Sequence, residues 1–102
     1  MTTSTEIAPV HTLDRLFAVI QDRRLHPREG SYTCKLFRQG NDEMAKKVGE
    51  EAVEVVLAAV SQGPERLTSE VADLVYHLLV LLAAHDLGPE DLYRELERRV
   101  KP

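Results

Sequence analysis

Two Gly-Pro pairs, Gly63-Pro64 and Gly88-Pro89, frame the most restrictive part of this chain. Glycine is suited to ending a helix and proline to the first turn of the next, so the interval reads as one helix from about Pro64 to Leu87. From Val71 to Ala84 nearly every residue is apolar. A helix that is hydrophobic almost all round needs cover on every side. Yet Glu70, Asp73, Tyr76 and His77 interrupt it, and Glu70, Asp73 and His77 fall within about 60° in projection. The helix is expected to be central and to carry one acidic stripe.

The preceding segment has the same character. A helix is expected from near Asn41 to about Gln62, with Asp42 and Glu43 complementing its N-terminal dipole. Ala45, Val48, Ala52, Val55, Val56 and Ala59 share a broad apolar face, and Val53, Leu57 and Val60 extend it. One polar arc remains, holding Glu43, Lys47, Glu50, Glu51 and Glu54. Folding the two helices back at Gly63 brings the pairs Glu54/Glu70 and Glu51/Asp73 to within about 3 Å of the same height. Four carboxylates crowded together in poorly hydrated space need cationic partners. Lys47 lies one turn away, and nothing cationic other than His77 occurs between Val71 and Ala84. Oxygen-only ligation suits Mg²⁺, with Mn²⁺ as a substitute, and Mg²⁺ is commonly shared with substrate phosphates. A solvated acidic face paired with Lys46 and Lys47 is the plainer reading. A di-iron centre fits poorly, because it requires Glu-x-x-His where this chain has Glu-x-x-Asp.

The remaining sequence also reads as helical. In "TLDRLFAVIQDRRL", Thr12 is the expected N-cap and Leu13, Leu16, Phe17 and Ile20 form one face. The helix should end before His26, since Pro27 disfavours helical geometry in the preceding residue. "SYTCKLFRQG" predicts a short helix capped by Ser31 and stopped by a left-handed Gly40. "PEDLYRELERRV" predicts a last amphipathic helix along Leu92, Leu96 and Val100. Residues 1–11 are expected to be a flexible tail and residues 12–102 a single all-α domain, an antiparallel hairpin core in a helix bundle. A chain of 102 residues is too short to cover such a central helix well, so a homodimer is expected.

The net charge of −4 argues against nucleic-acid or anionic-membrane binding and leaves room for a small phosphorylated ligand. The single cysteine, Cys34, excludes an internal disulfide and reads as a small buried apolar group. The longest unbroken apolar run, "LLVLLAA", is short for a membrane span, and the N-terminus lacks a signal-peptide pattern. The expected location is cytoplasmic.

"SYTCKLFRQG", "KKVGEEAVEVVLAA" and "EVADLVYHLLVLL" together resemble the phosphoribosyl-ATP pyrophosphohydrolases of histidine biosynthesis, within the all-α MazG-like nucleotide pyrophosphohydrolases. The resemblance covers roughly residues 12–100. It implies a homodimer and Mg²⁺-dependent hydrolysis of 1-(5-phosphoribosyl)-ATP to 1-(5-phosphoribosyl)-AMP and pyrophosphate, by water attack on the α-phosphorus. The expected metal ligands are Glu51, Glu54, Glu70 and Asp73, with Glu50 as the candidate for orienting the water. Lys47 is expected to stabilise phosphate charge. Ser31, Tyr32, Thr33, Lys35 and Arg38, on a segment closing over the ligand, together with His77, are the remaining substrate-binding candidates. The alternatives are a house-cleaning hydrolase acting on nucleoside triphosphates and a helical dimerisation module without catalysis.

Overall fold

Five helices follow one another along the chain: α1 (Pro9–Leu25), α2 (Tyr32–Gln39), α3 (Asn41–Ser61), α4 (Gly63–Ala84) and α5 (Pro89–Arg99). The computed structural model describes residues 9–100, with side chains from residue 12 onward. No strand occurs among these residues, and the fold is all-α as expected. The tail expected at residues 1–11 lies outside the described residues as far as residue 8, and residues 9–11 belong to α1. Thr12 is therefore inside the helix instead of capping it. Pro9 occupies the first turn, where its missing N–H costs nothing.

The connections decide the arrangement. Ser31 caps α2, its hydroxyl accepting from the Cys34 N–H at 3.2 Å. Gly40 joins α2 to α3 at φ 93°, ψ 174°. That is an extended positive-φ geometry open essentially to glycine alone, not the left-handed helical stop that was expected. Gly63, at φ 86°, ends α3, and Pro64 follows in the first turn of α4. This turn folds α3 back along α4, and the two helices form the most extensive pairing in the molecule.

The second Gly-Pro pair works differently from the first. α4 stops three residues earlier than predicted, because Asp86 adopts the left-handed conformation at φ 59°. Leu87 N–H then donates to Leu82 O and Asp86 N–H to Ala83 O, the two bonds of a Schellman ending. Gly88 is extended at φ −149° and serves α5 as its cap. Its missing side chain is needed for another reason: a Cβ there would lie 3.0 Å from the Phe17 ring.

The core comprises Ile20, Leu36, Met44, Leu79, Val80 and Ala83, flanked by Leu13, Leu16, Phe17 and Phe37. The apolar face read for α1 is thus the one that packs. α4 is apolar and long enough to cross a bilayer by composition alone, with a mean hydropathy of 1.5. Here it supplies half of the core cluster and buries Glu70 and His77 as well.

The burial expected all around the hairpin is not realised. Val71 and Leu78 on α4 remain exposed, and α3 buries only Met44 and Ala58. Val53, Val56, Leu57 and Val60 recur at i, i+3, i+4 and i+7 and face outward, 56, 59, 47 and 78% exposed. Helices α1 and α2 cover one side of the hairpin, and α5 meets α1 instead of covering the other side.

Candidate metal centre

The hairpin brings carboxylates from two helices together. One oxygen from each of Glu51, Glu70 and Asp73 lies within 4.8 Å of the other two. Glu51 projects from α3, and Glu70 and Asp73, three residues apart, share a face of α4. Burial is graded across the trio: Glu70 is buried, Glu51 is half-buried and Asp73 is exposed. The site is anchored inside and open outside. Glu54 is half-buried and lies outside this trio. It sits three residues beyond Glu51, about 4.5 Å further along the helix axis toward the turn. Of the four acids expected at one level, three converge directly.

The cationic environment is richer than the sequence suggested. Lys47 Nζ lies 3.6 Å from Glu50 and 3.7 Å from Glu51. Its ammonium is held above its ordinary 10.5, chiefly by the charge that the Tyr32 phenol takes on when ionised and then by Glu51 and Glu50. Glu50 stands exposed at the margin, tied to Lys47 and not to the trio. Arg66, which the sequence reading passed over, places its guanidinium 2.6 Å from Glu70. The signal was present as the i, i+4 spacing of Arg66 and Glu70. Arg66 lies one turn ahead of the apolar stretch that begins at Val71.

His77 and the α2 residues form a second layer beside the acids. His77 Nδ1 donates to the Asp73 carbonyl at 2.7 Å, since a carbonyl only accepts. With the imidazole neutral, Nε2 therefore accepts from the Tyr32 hydroxyl at 2.9 Å. Tyr32 and Tyr76 stack at 6.2 Å between centroids, and His77 meets both rings edge-on. Thr33 and Tyr76 join their hydroxyls in a hydrogen bond. Burial pushes the Tyr76 hydroxyl above its ordinary value, against the pull of Thr33. These contacts fasten the start of α2 to the acidic stretch of α4. Tyr76 is a half-buried member of this layer and also packs against the core.

The other candidates are more dispersed. Ser31 is engaged as the α2 cap. Lys35 is exposed on α2. Arg38 lines a cleft of about 170 Å³ with Arg23, Arg24, Pro27, Cys34 and Phe37. Cys34 is buried, donating to Arg23 O and accepting from Arg28 N–H, both at 3.3 Å. A cavity of about 600 Å³ lies between α1 and the start of α5, among Asp14, Phe17, Gln21, Leu87 and Tyr93. It contains none of the expected site residues, which gather instead around the converging carboxylates.

The sequence profile of the family described as phosphoribosyl-ATP pyrophosphohydrolase matches residues 13–100. A protein of Sulfurisphaera tokodaii named phosphoribosyl-ATP pyrophosphatase is 54% identical over 91 residues, covering 89% of this chain and 97% of its own. Proteins of the same name from Saccharolobus solfataricus and Sulfolobus acidocaldarius are 51% and 45% identical, over 95% and 96% of their own lengths.

Proposed function

The chain belongs to the phosphoribosyl-ATP pyrophosphohydrolase family, and from that premise we propose that its three converging carboxylates serve the hydrolysis of phosphoribosyl-ATP. The activity is that of a phosphoribosyl-ATP diphosphatase of histidine biosynthesis. Phosphoribosyl-ATP is split at the bond between its α- and β-phosphates, leaving phosphoribosyl-AMP and pyrophosphate.

The observation that carries the reading is the approach of Glu51, Glu70 and Asp73 oxygens to within 4.8 Å. An all-oxygen donor set spanning two helices, buried on one side and open on the other, fits Mg²⁺ or Mn²⁺ shared with a phosphate chain. Glu51, Glu70 and Asp73 would hold the ion, with Glu54 joining from the next turn of α3. Bound there, Mg²⁺ supplies Lewis-acid polarisation of the phosphate oxygens and offsets charge on the leaving pyrophosphate. The remaining chemistry belongs to side chains. Glu50 orients the water that attacks the α-phosphorus. Lys47, already beside Glu50 and Glu51, offers its ammonium to the phosphate charge. Tyr32, Thr33 and His77 shape the wall against which the ribose lies, and Ser31 holds that wall by capping α2. Lys35 and Arg38 extend the cationic edge of α2 toward the outer phosphates.

The active form is a homodimer in the cytoplasm. The outward stripe of Val53, Val56, Leu57 and Val60 supports this assembly, since it repeats the spacing of a helix packed on another helix. The test is pyrophosphate release from phosphoribosyl-ATP and from a panel of deoxynucleoside triphosphates. Preference for phosphoribosyl-ATP is expected. Equal or greater turnover of deoxynucleotides would assign the site to a house-cleaning activity instead.

A further inference from the structure

Arg66 and Lys47 divide the counter-charge of the acidic trio between them, and they do so unequally. Lys47 is shared between Glu50 and Glu51 at 3.6 and 3.7 Å. Arg66 makes one short contact, 2.6 Å, to Glu70 Oε2, and its Nε also donates to Gln62 Oε1 at 3.4 Å. The Glu70 side chain is 7% exposed, whereas that of Arg66 is 58% exposed. The guanidinium therefore reaches in from solvent along the outside of α4 to meet the most buried acid. Burying a carboxylate beside two others is unfavourable unless a cation accompanies it. Arg66 is the cation in contact with Glu70, and most of its side chain is solvated.

We propose that Arg66 is a positioning residue that stands in for the divalent ion, neutralising Glu70 when no metal is bound and withdrawing when one arrives. This rests on the metal site assigned above. Arg66 holds the Glu70 carboxylate through its 2.6 Å contact, and it opposes the incoming dication by like-charge repulsion. With its side chain 58% exposed, the guanidinium can return to solvent without crossing packed protein. An arginine at this position sets the metal affinity lower than the three acids alone would give.

The test compares wild type, Arg66→Gln and Arg66→Lys in Mn²⁺ titrations followed by electron paramagnetic resonance at low salt, with melting curves in chelator and in saturating Mn²⁺. Arg66→Gln is expected to bind Mn²⁺ about three- to tenfold more tightly, the scale of one nearby charge in partly solvated surroundings. Its melting temperature should fall in chelator and recover fully with Mn²⁺. Arg66→Lys should behave as wild type in affinity. Unchanged or weakened Mn²⁺ binding by Arg66→Gln, or an equal loss of melting temperature with and without metal, would overturn the proposal and leave Arg66 a plain helix ion pair. Wild-type protein that takes up no Mn²⁺ would instead overturn the metal site itself, and this inference with it.

Discussion

At the scale of single residues, the trio separates function from folding. Asp is a weak helix former, and Asp73 stands in an apolar helix with its carboxylate toward two other acids. Such a residue is a stability liability kept for its chemistry. Asp73→Asn is therefore expected to reduce turnover of phosphoribosyl-ATP about 100-fold or more, as loss of a metal ligand would. Its metal-free melting temperature should be unchanged or higher, because one charge is removed from the cluster. A large drop in melting temperature would assign Asp73 a structural role. The pairing of Glu51 with Asp73 across the hairpin was legible in the sequence from residue counts on either side of Gly63. The Arg66–Glu70 pair was legible too, as an i, i+4 spacing just ahead of the apolar stretch. The Tyr32–His77 bond was hidden, since it joins residues whose helices meet only through tertiary packing.

At the scale of elements, the two Gly-Pro pairs look alike in sequence and act through different physics. Gly63 has positive φ with nothing within 4 Å of a Cβ, so Gly63→Ala meets only backbone strain, about 1–2 kcal/mol. Gly88 has an ordinary extended φ but faces Phe17 at 3.0 Å, so Gly88→Ala meets a steric cost of about 1–3 kcal/mol. Shaving the ring by Phe17→Leu should relieve the second substitution and leave the first untouched, as chemical denaturation of the double variants will reveal. Helix boundaries followed the capping residues where the signal was local, as at Ser31 and Gly63. They failed at α4, where Asp86 took the left-handed position in place of a glycine. α5 carries a pH signature. Asp91 accepts the Gly88 N–H at 2.9 Å, and this bond, followed by Arg94, holds its carboxyl below the ordinary 3.8. A depressed folded-state value means the contribution is complete above the unfolded value and disappears as pH falls through the folded one. The acid limb of stability should start near pH 4, and Asp91→Asn should flatten it there while lowering the neutral-pH melting temperature by a few degrees.

At the scale of the whole molecule, the exposed apolar stripe of α3 is the largest departure from what a self-sufficient bundle would show. The sequence called for cover around the hairpin, and α1 and α2 supply it on one side. A second copy placed on Val53, Val56, Leu57 and Val60 would supply the rest. Val56→Glu is expected to shift sedimentation from dimer to monomer, and its lowered melting temperature should lose the dependence on protein concentration expected of a wild-type dimer. A wild-type monomer at micromolar concentration would contradict that assembly. The central claim, that Glu51, Glu70 and Asp73 share a dication, is met most directly by anomalous diffraction at the manganese edge from crystals grown with Mn²⁺ and a nonhydrolysable analogue of phosphoribosyl-ATP. The account predicts an anomalous peak bounded by these three carboxylates, about 2.2 Å from their nearest oxygens. A dominant peak anywhere else, or an analogue seated away from the trio, would contradict it.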